Sequence, residues 1–167
     1  MNKYTKEEHQ LLLKLAKDSI AYGLKHHKIM AIDLSQYPAS LQKEGACFVT
    51  LKIKDELHGC IGSLMAHQPL VQDIVHNSYA AAFEDPRFDP LLEKELSLLD
   101  IHISVLSVTE PINFISEQDL IRQLRPNIDG LIISDKGYRG TFLPSVWEEL
   151  PEPSVFLYHL KLIQLLK

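Results

Sequence analysis

The stretch ACFVTLKIKDELHGCIGSL, residues 46–64, is the one whose reading decides the fold. Cys47, Val49, Leu51 and Ile53 are apolar while Thr50, Lys52 and Lys54 are polar, the period of two that belongs to a half-buried strand. A turn at Lys54-Asp55-Glu56 then returns a second strand antiparallel to the first. In the expected register Ile53 lies opposite Leu57, Leu51 opposite Gly59, Val49 opposite Ile61 and Lys52 opposite His58. That pairing joins the apolar faces and sets Cys60 on the other face with His58, Gly62, Phe48, Thr50 and Lys52. A slip of one residue would exchange the two faces.

Outward from this hairpin, helical and strand periods follow one another in groups. Thr5 and Glu8 have capping-box spacing, and Leu11, Leu12, Leu15, Ala16 and Ile20 then recur at helical intervals, predicting a helix from about Lys6 into the mid-twenties. SQYPASLQKEG reads as a loop. Pro69 opens a helix with Leu70, Val71, Ile74, Val75 and Ala82 on its buried side, stopped by Asp85-Pro86. Ile101, Ile103 and Val105 alternate with His102 and Ser104 in a further strand that ends by Glu110-Pro111. Ser116 caps a short helix through Leu124, closed by Arg125-Pro126. DGLIISDKGYRGTFL predicts two strands joined near Lys136, and Pro144 and Pro153 open two last helices. Hairpins and grouped helices predict an α+β fold with antiparallel sheets and flanking helices, in place of a strict βαβ alternation.

The chain has 167 residues, enough for one domain with a real core or for two lobes, and 46% of them are apolar. No stretch reaches the roughly 18 unbroken apolar residues of a membrane span. The polar start MNKYTKEEHQ lacks the apolar core of a signal peptide, so a cytoplasmic location is expected, with both cysteines, Cys47 and Cys60, reduced. Seventeen basic against 22 acidic side chains give a formal charge of −5 with no basic stripe, which argues against a nucleic-acid partner. No G-x-S-x-G elbow, Walker A or G-x-G-x-x-G sequence is present, and no cofactor is expected. His58, His67 and His76 recur at intervals of nine, a spacing that suits neither a helical nor a loop metal pair, and no metal is expected.

Five ordered segments, LHGCIGSL, NSYAAAFEDPRFDPL, LDIHISVLS, LRPNIDGLII and TFLPSVW, together resemble the signature segments of the AMMECR-one domain family, also called AmmeMemoRadiSam system protein A. The resemblance runs from about residue 10 to residue 163. It implies an α+β protein with a larger lobe from both chain ends, a smaller lobe from the middle and a cleft between them. It also implies a shared pathway with a Memo-like protein and a radical SAM protein, without naming a reaction. This chain has His58 where the family usually has arginine, and Asn127 where it usually has glycine. Members of the family continue beyond the position of LKLIQLLK, so a strand of the larger lobe is expected to be missing.

Cys60 is the candidate nucleophile. A thiolate needs a nearby cation or base, and His58 and Lys52 are expected on its face; the competing reading, which the residues favour, is a small side chain packed where glycines let backbones approach. Gly59 and Gly62 equally suit a ligand reaching the strand backbone. Arg87 is expected to pair locally with Glu84 or Asp85, or else to hold a small anionic ligand. Arg125, Asp129 and Thr141 carry the same two readings. Two functions follow: a small-molecule-binding protein or enzyme component with its site at residues 57–62, Glu84 and Arg87, or a non-catalytic module that docks a partner.

Overall fold

The structure, a computed structural model, describes residues 4–165. It divides into two contiguous units, Met1–Thr109 and Glu110–Lys167. Helices and antiparallel sheets are present as expected, but each unit is a single run of chain, in contrast to the expected larger lobe from both ends.

In the first unit, helix α1 (Lys6–His26) begins with the capping box: the Glu8 amide donates to Thr5 Oγ1 at 3.1 Å and the Thr5 amide to Glu8 Oε2 at 2.7 Å. The segment expected to be a loop instead holds a 3-10 turn at Leu34–Gln36 and the one-turn helix α2 (Ala39–Gln42), because Leu41 is drawn into the core. Strand β1 (Glu44–Ile53) is central. It pairs antiparallel with β2 (Glu56–Gly62), at its start with the two-residue β3 (Gln68–Pro69), and along its other side with β4 (Leu99–Leu106). Helix α3 (Leu70–Phe83) lies against β1, β2 and α1. Cys47, Val49 and Leu51 of β1 are fully buried with Val71, Ile74 and Val75 of α3 and Leu15, Ala16 and Ile20 of α1.

The hairpin register matches expectation at Val49–Ile61 and Leu51–Gly59 and departs from it near the turn. The turn has two residues, Lys54 and Asp55, both at positive φ (52° and 66°), so Ile53 pairs with Glu56 and Lys52 with Leu57. His58 becomes the extra residue of a β-bulge in place of Lys52's partner. A two-residue turn of this hand matches the strand twist, and the bulge restores the apolar register that the shorter turn would otherwise invert.

The second unit has α4 (Glu117–Gln123), the hairpin β5 (Leu131–Asp135) and β6 (Tyr138–Phe142), a 3-10 turn at Pro144–Glu148, and α5 (Pro153–Leu165). Ser116 caps α4 by accepting from the Asp119 amide. The core is aromatic: Trp147 stacks on Phe156 with ring centroids 3.7 Å apart, and Phe142 meets Phe156 edge-on. Asn127 adopts φ 63°, the left-handed conformation that asparagine tolerates better than most side chains.

Gly59 sets how close α3 comes to the sheet. A Cβ there would lie 2.0 Å from the Ala81 carbonyl oxygen, which is backbone and cannot swing aside. Gly59→Ala is expected to lower stability by about 3 kcal/mol, the upper part of the overpacking range, read as a fall in the urea midpoint at unchanged slope.

Candidate functional site

Where β2 runs along the outer edge of the sheet, Thr50 faces Cys60 across the hairpin. The Cys60 amide and carbonyl point away from β1, to the side where an edge strand normally meets water. Here two side chains take the place of a neighbouring strand. Asp85 Oδ2 accepts from the Cys60 amide at 2.9 Å, and an Arg87 terminal nitrogen donates to the Cys60 carbonyl at 3.1 Å. The same two residues bind each other, with Arg87 Nε 3.0 Å from Asp85 Oδ1 and its terminal nitrogen 2.8 Å from Oδ2.

The sequence predicts that Arg87 pairs locally with Glu84 or Asp85, a contact worth little if exposed, or else holds an anion. The Asp85 side chain is only 2% exposed, against 56% for Arg87, so the carboxylate is locked in while the guanidinium still reaches solvent. The Arg87 hydrogen bonds hold the Asp85 carboxyl far below the usual carboxylate range despite the opposing effect of burial, and Asp85 in turn raises Arg87. Geometry thus chooses Asp85 over Glu84, which is the exposed C-cap residue of α3. Glu84, which the sequence offers as a site residue, makes no side-chain hydrogen bond or ion pair among the described residues.

Cys60 is half-buried, with Sγ 3.2 Å from Thr50 Oγ1. Arg87 lies 5.3 Å from the centroid of the Phe88 ring, and the His58 ring is stacked near the same Phe88 at 6.4 Å. His58 Nε2 is buried and has no hydrogen-bond partner among the described residues, an unsatisfied polar atom on a ring that stacks near Phe88. On the other side of β1, Thr50 pairs with His102, whose Nε2 is 2.8 Å from Asp100 Oδ2.

The glycines are placed differently from the ligand-access reading. Gly59 faces α3, on the opposite side of the strand from Cys60, and the Ala81 carbonyl fills the space above it. Gly62 lies under the Phe48 ring, where a Cβ would be 2.3 Å from Phe48 Cγ. Both therefore serve close packing. In the second unit, Arg125 and Asp129 bind each other: the Arg125 amide donates to Asp129 Oδ2 at 2.9 Å and a terminal nitrogen to Oδ1 at 2.6 Å. The Asp129 carbonyl accepts from Trp147 Nε1 at 2.6 Å, so this pair fixes the loop before β5. Thr141 lies on β6 opposite Ile132.

One polar cluster escaped the sequence reading. Asp73 on α3 is fully buried and accepts from the Cys47 amide (2.9 Å), Ser63 Oγ (2.7 Å), Gln68 Nε2 (2.9 Å) and Asn77 Nδ2 (2.9 Å). Four donors compensate its charge, with no cation paired to it among the described residues. The signal is the i,i+4 pair Asp73 and Asn77, which with Ser78 interrupts the apolar face of α3. Burial, and then the Asp73 charge, push the neighbouring Cys47 thiol far above its ordinary range and make it inert. No group of three or more His, Cys, Asp or Glu among the described residues is placed to hold a metal ion, and no described helix is long and apolar enough to cross a membrane.

The AMMECR1 family model matches residues 13–164. A protein of Thermofilum pendens is 32% identical, over 94% of this chain and 78% of its own length. One from Saccharolobus solfataricus is 40% identical, over 84% of this chain and 65% of its own. The crystal structure of an uncharacterised protein from Pyrococcus horikoshii superposes with a TM-score of 0.87 at 30% identity, covering 95% of this chain and 80% of that one.

Because the folded state lowers the Asp85 value, this carboxylate stabilises the protein above its unfolded-state value of about 3.9, and that stability is lost as the pH falls further. Asp85→Asn is expected to lower the melting temperature at pH 7 and to flatten its decline below about pH 4, measured by thermal unfolding from pH 7 down to pH 2.

Proposed function

The chain belongs to the AMMECR1 family, and from that premise we propose that it is a small-molecule-binding protein or enzyme component whose site is the sheet edge at Cys60. The observation that carries this reading is the Asp85–Arg87 clamp on the Cys60 peptide group. The clamp fixes a half-buried thiol beside a guanidinium that is still half-exposed, and it does so with a carboxylate already neutralised by that guanidinium. A fixed cation, a hydroxyl from Thr50, a thiol and the unpartnered His58 Nε2 suit a small anionic ligand such as a carboxylate or phosphate. The resemblance to the AmmeMemoRadiSam system supports a reaction sequence shared with a Memo-like protein and a radical SAM protein; that likeness is analogy, and the site has to carry the chemistry.

Cys60 is the group to test, and Cys47 is its internal control. Cys60 is expected to react with a thiol-selective reagent faster than N-acetylcysteine between pH 5 and 9, more slowly in Arg87→Met, while Cys47 stays unlabelled in the folded protein. A Cys60 rate no greater than that of the free thiol removes its role as nucleophile. Titration with acetate and with phosphate, followed by the NMR signals of His58 and Cys60, tests binding separately; no shift with either anion overturns the anion site.

A second reading, a non-catalytic interaction module, draws on the exposed apolar side chains of Phe114 (53%) and Ile115 (97%). Purified Memo-like and radical SAM proteins decide it: a complex that survives Cys60→Ala and Arg87→Met but is lost in Phe114→Ser with Ile115→Ser favours the module.

A further inference from the structure

Antiparallel pairing places Cys60, Thr50 and His102 in one row across β2, β1 and β4, with Thr50 the shared partner. The row lies on the sheet face away from α3, because Leu51 and Gly59, which follow Thr50 and precede Cys60 in their strands, are the residues on the helix side. Pairing with β1 alone sets these side chains, whatever lies along the far side of β4.

The Cys60 amide and carbonyl turn away from β1, so Thr50 and Cys60 are the closer, non-hydrogen-bonded type of antiparallel pair. Their heads meet, with Sγ 3.2 Å from Oγ1. Thr50 and His102 are then the hydrogen-bonded type, with Cβ atoms roughly 4.5–5.5 Å apart, a gap that the imidazole itself or one bridging water spans. The far end of the row sets its direction. His102 Nε2 lies 2.8 Å from Asp100 Oδ2, and an ionised carboxylate only accepts, so Nε2 carries the proton. In the neutral ring Nδ1 is therefore the basic nitrogen, and it makes no hydrogen bond among the described residues. A threonine hydroxyl gives one proton and accepts up to two. Thr50 can thus give its proton toward Nδ1 while accepting that of the thiol, and each donor from Cys60 to Asp100 meets an acceptor.

We propose that His102, oriented by Asp100, is the proton acceptor for Cys60, reached through the Thr50 hydroxyl. This rests on the reading of Cys60 as the reactive group of the site, and it adds a base, which the Arg87 guanidinium cannot supply. When Sγ attacks an electrophilic carbon, a carbon–sulfur bond forms and the bond to the leaving group breaks, its electron pair departing with that group. The thiol proton passes to Thr50 Oγ1 as the hydroxyl proton passes to Nδ1, directly or through one water, and Asp100 holds the imidazolium that results. Thr50 ends as it began. Thr50 and His102 act on a substrate only through Cys60 and are positioning residues. The other titratable groups around the row are Lys52, opposite Asp100 on β1, Arg87 beyond Cys60, and Tyr4 and His9, which line a groove together with His102.

The probe is iodoacetamide, a small uncharged electrophile, added to the unmodified protein from pH 5 to 9 with each cysteine followed by mass spectrometry. The Cys60 rate is expected to rise in two steps, the first between about pH 5 and 8, where an imidazole loses its charge, and the second where a free thiol ionises. Between the steps it is slower in D2O, because protons move during the attack. His102→Gln and Thr50→Val are each expected to remove the first step and to slow labelling at pH 7 by up to about thirtyfold, the ratio of a full thiolate to the few per cent that a free thiol carries. The double variant is no slower than either single one, and Thr50→Ser, which keeps the hydroxyl, keeps the step. Cys47 staying unlabelled reports that each variant is folded. Two outcomes overturn the relay while leaving a reactive Cys60 in place: a profile unchanged in His102→Gln, or Thr50→Val and Thr50→Ser behaving alike. A Cys60 rate in the unmodified protein no greater than that of N-acetylcysteine at every pH removes the reactive cysteine itself, and the relay with it.

Discussion

The first unit depends on one close approach, that of the Ala81 carbonyl to the Cα of Gly59. No side chain separates helix from strand there, so the axis of α3 is brought down onto the hairpin instead of riding on a layer of side chains. Two things follow from that single contact. The core beneath α3 can be made of small and β-branched residues such as Val49, Val71 and Val75, all fully buried. The helix also ends at Phe83, next to the outer edge of β2, which is why the next turn of chain can reach the Cys60 peptide group with Asp85 and Arg87. Packing and site are the same event viewed from two sides.

The clamp replaces a missing strand by side chains. An edge strand leaves donors and acceptors open to any other chain, and here a carboxylate takes the donor and a guanidinium the acceptor at one residue. The arrangement leaves the thiol aimed across the hairpin at Thr50 while its backbone is held on both sides. A cysteine so placed has little freedom to move, and a ligand there meets a fixed arrangement of polar groups.

Much of the fold was legible in residue periods. Alternation from Cys47 to Ile53 fixed which face of β1 is buried and separated Cys47 from Cys60, and the Thr5/Glu8 spacing located the start of α1. Legibility stopped where tertiary contacts decide. Nothing near Gly59 announces Ala81, which is distant in sequence, so the glycine read equally well as a gap for a ligand. Asp85 before a proline reads as a helix stop, and its burial against Cys60 has no local signature. The bulge at His58 was hidden because Lys54-Asp55 lacks the glycine or asparagine that marks a two-residue turn. Arg125 and Asp129 showed the reverse: a pair close in sequence that could have faced a ligand closes on itself and on the carbonyl side of Trp147's hydrogen bond.

The turn between β1 and β2 carries one last implication, for the order of folding. Lys54 and Asp55 both hold a left-handed backbone that costs an ordinary side chain about 1–2 kcal/mol. Such a turn is a poor nucleus, because it must be bent before the strands have gained anything from pairing. The ladder between β1 and β4 joins residues about fifty positions apart in sequence, from Ile53 with Leu99 to Ala46 with Leu106. Closing that long loop is entropically demanding and slow relative to local structure. Neither the turn nor the long-range ladder is a cheap place to begin, so the first unit is expected to fold slowly for its size, its sheet forming only together with the docking of α3.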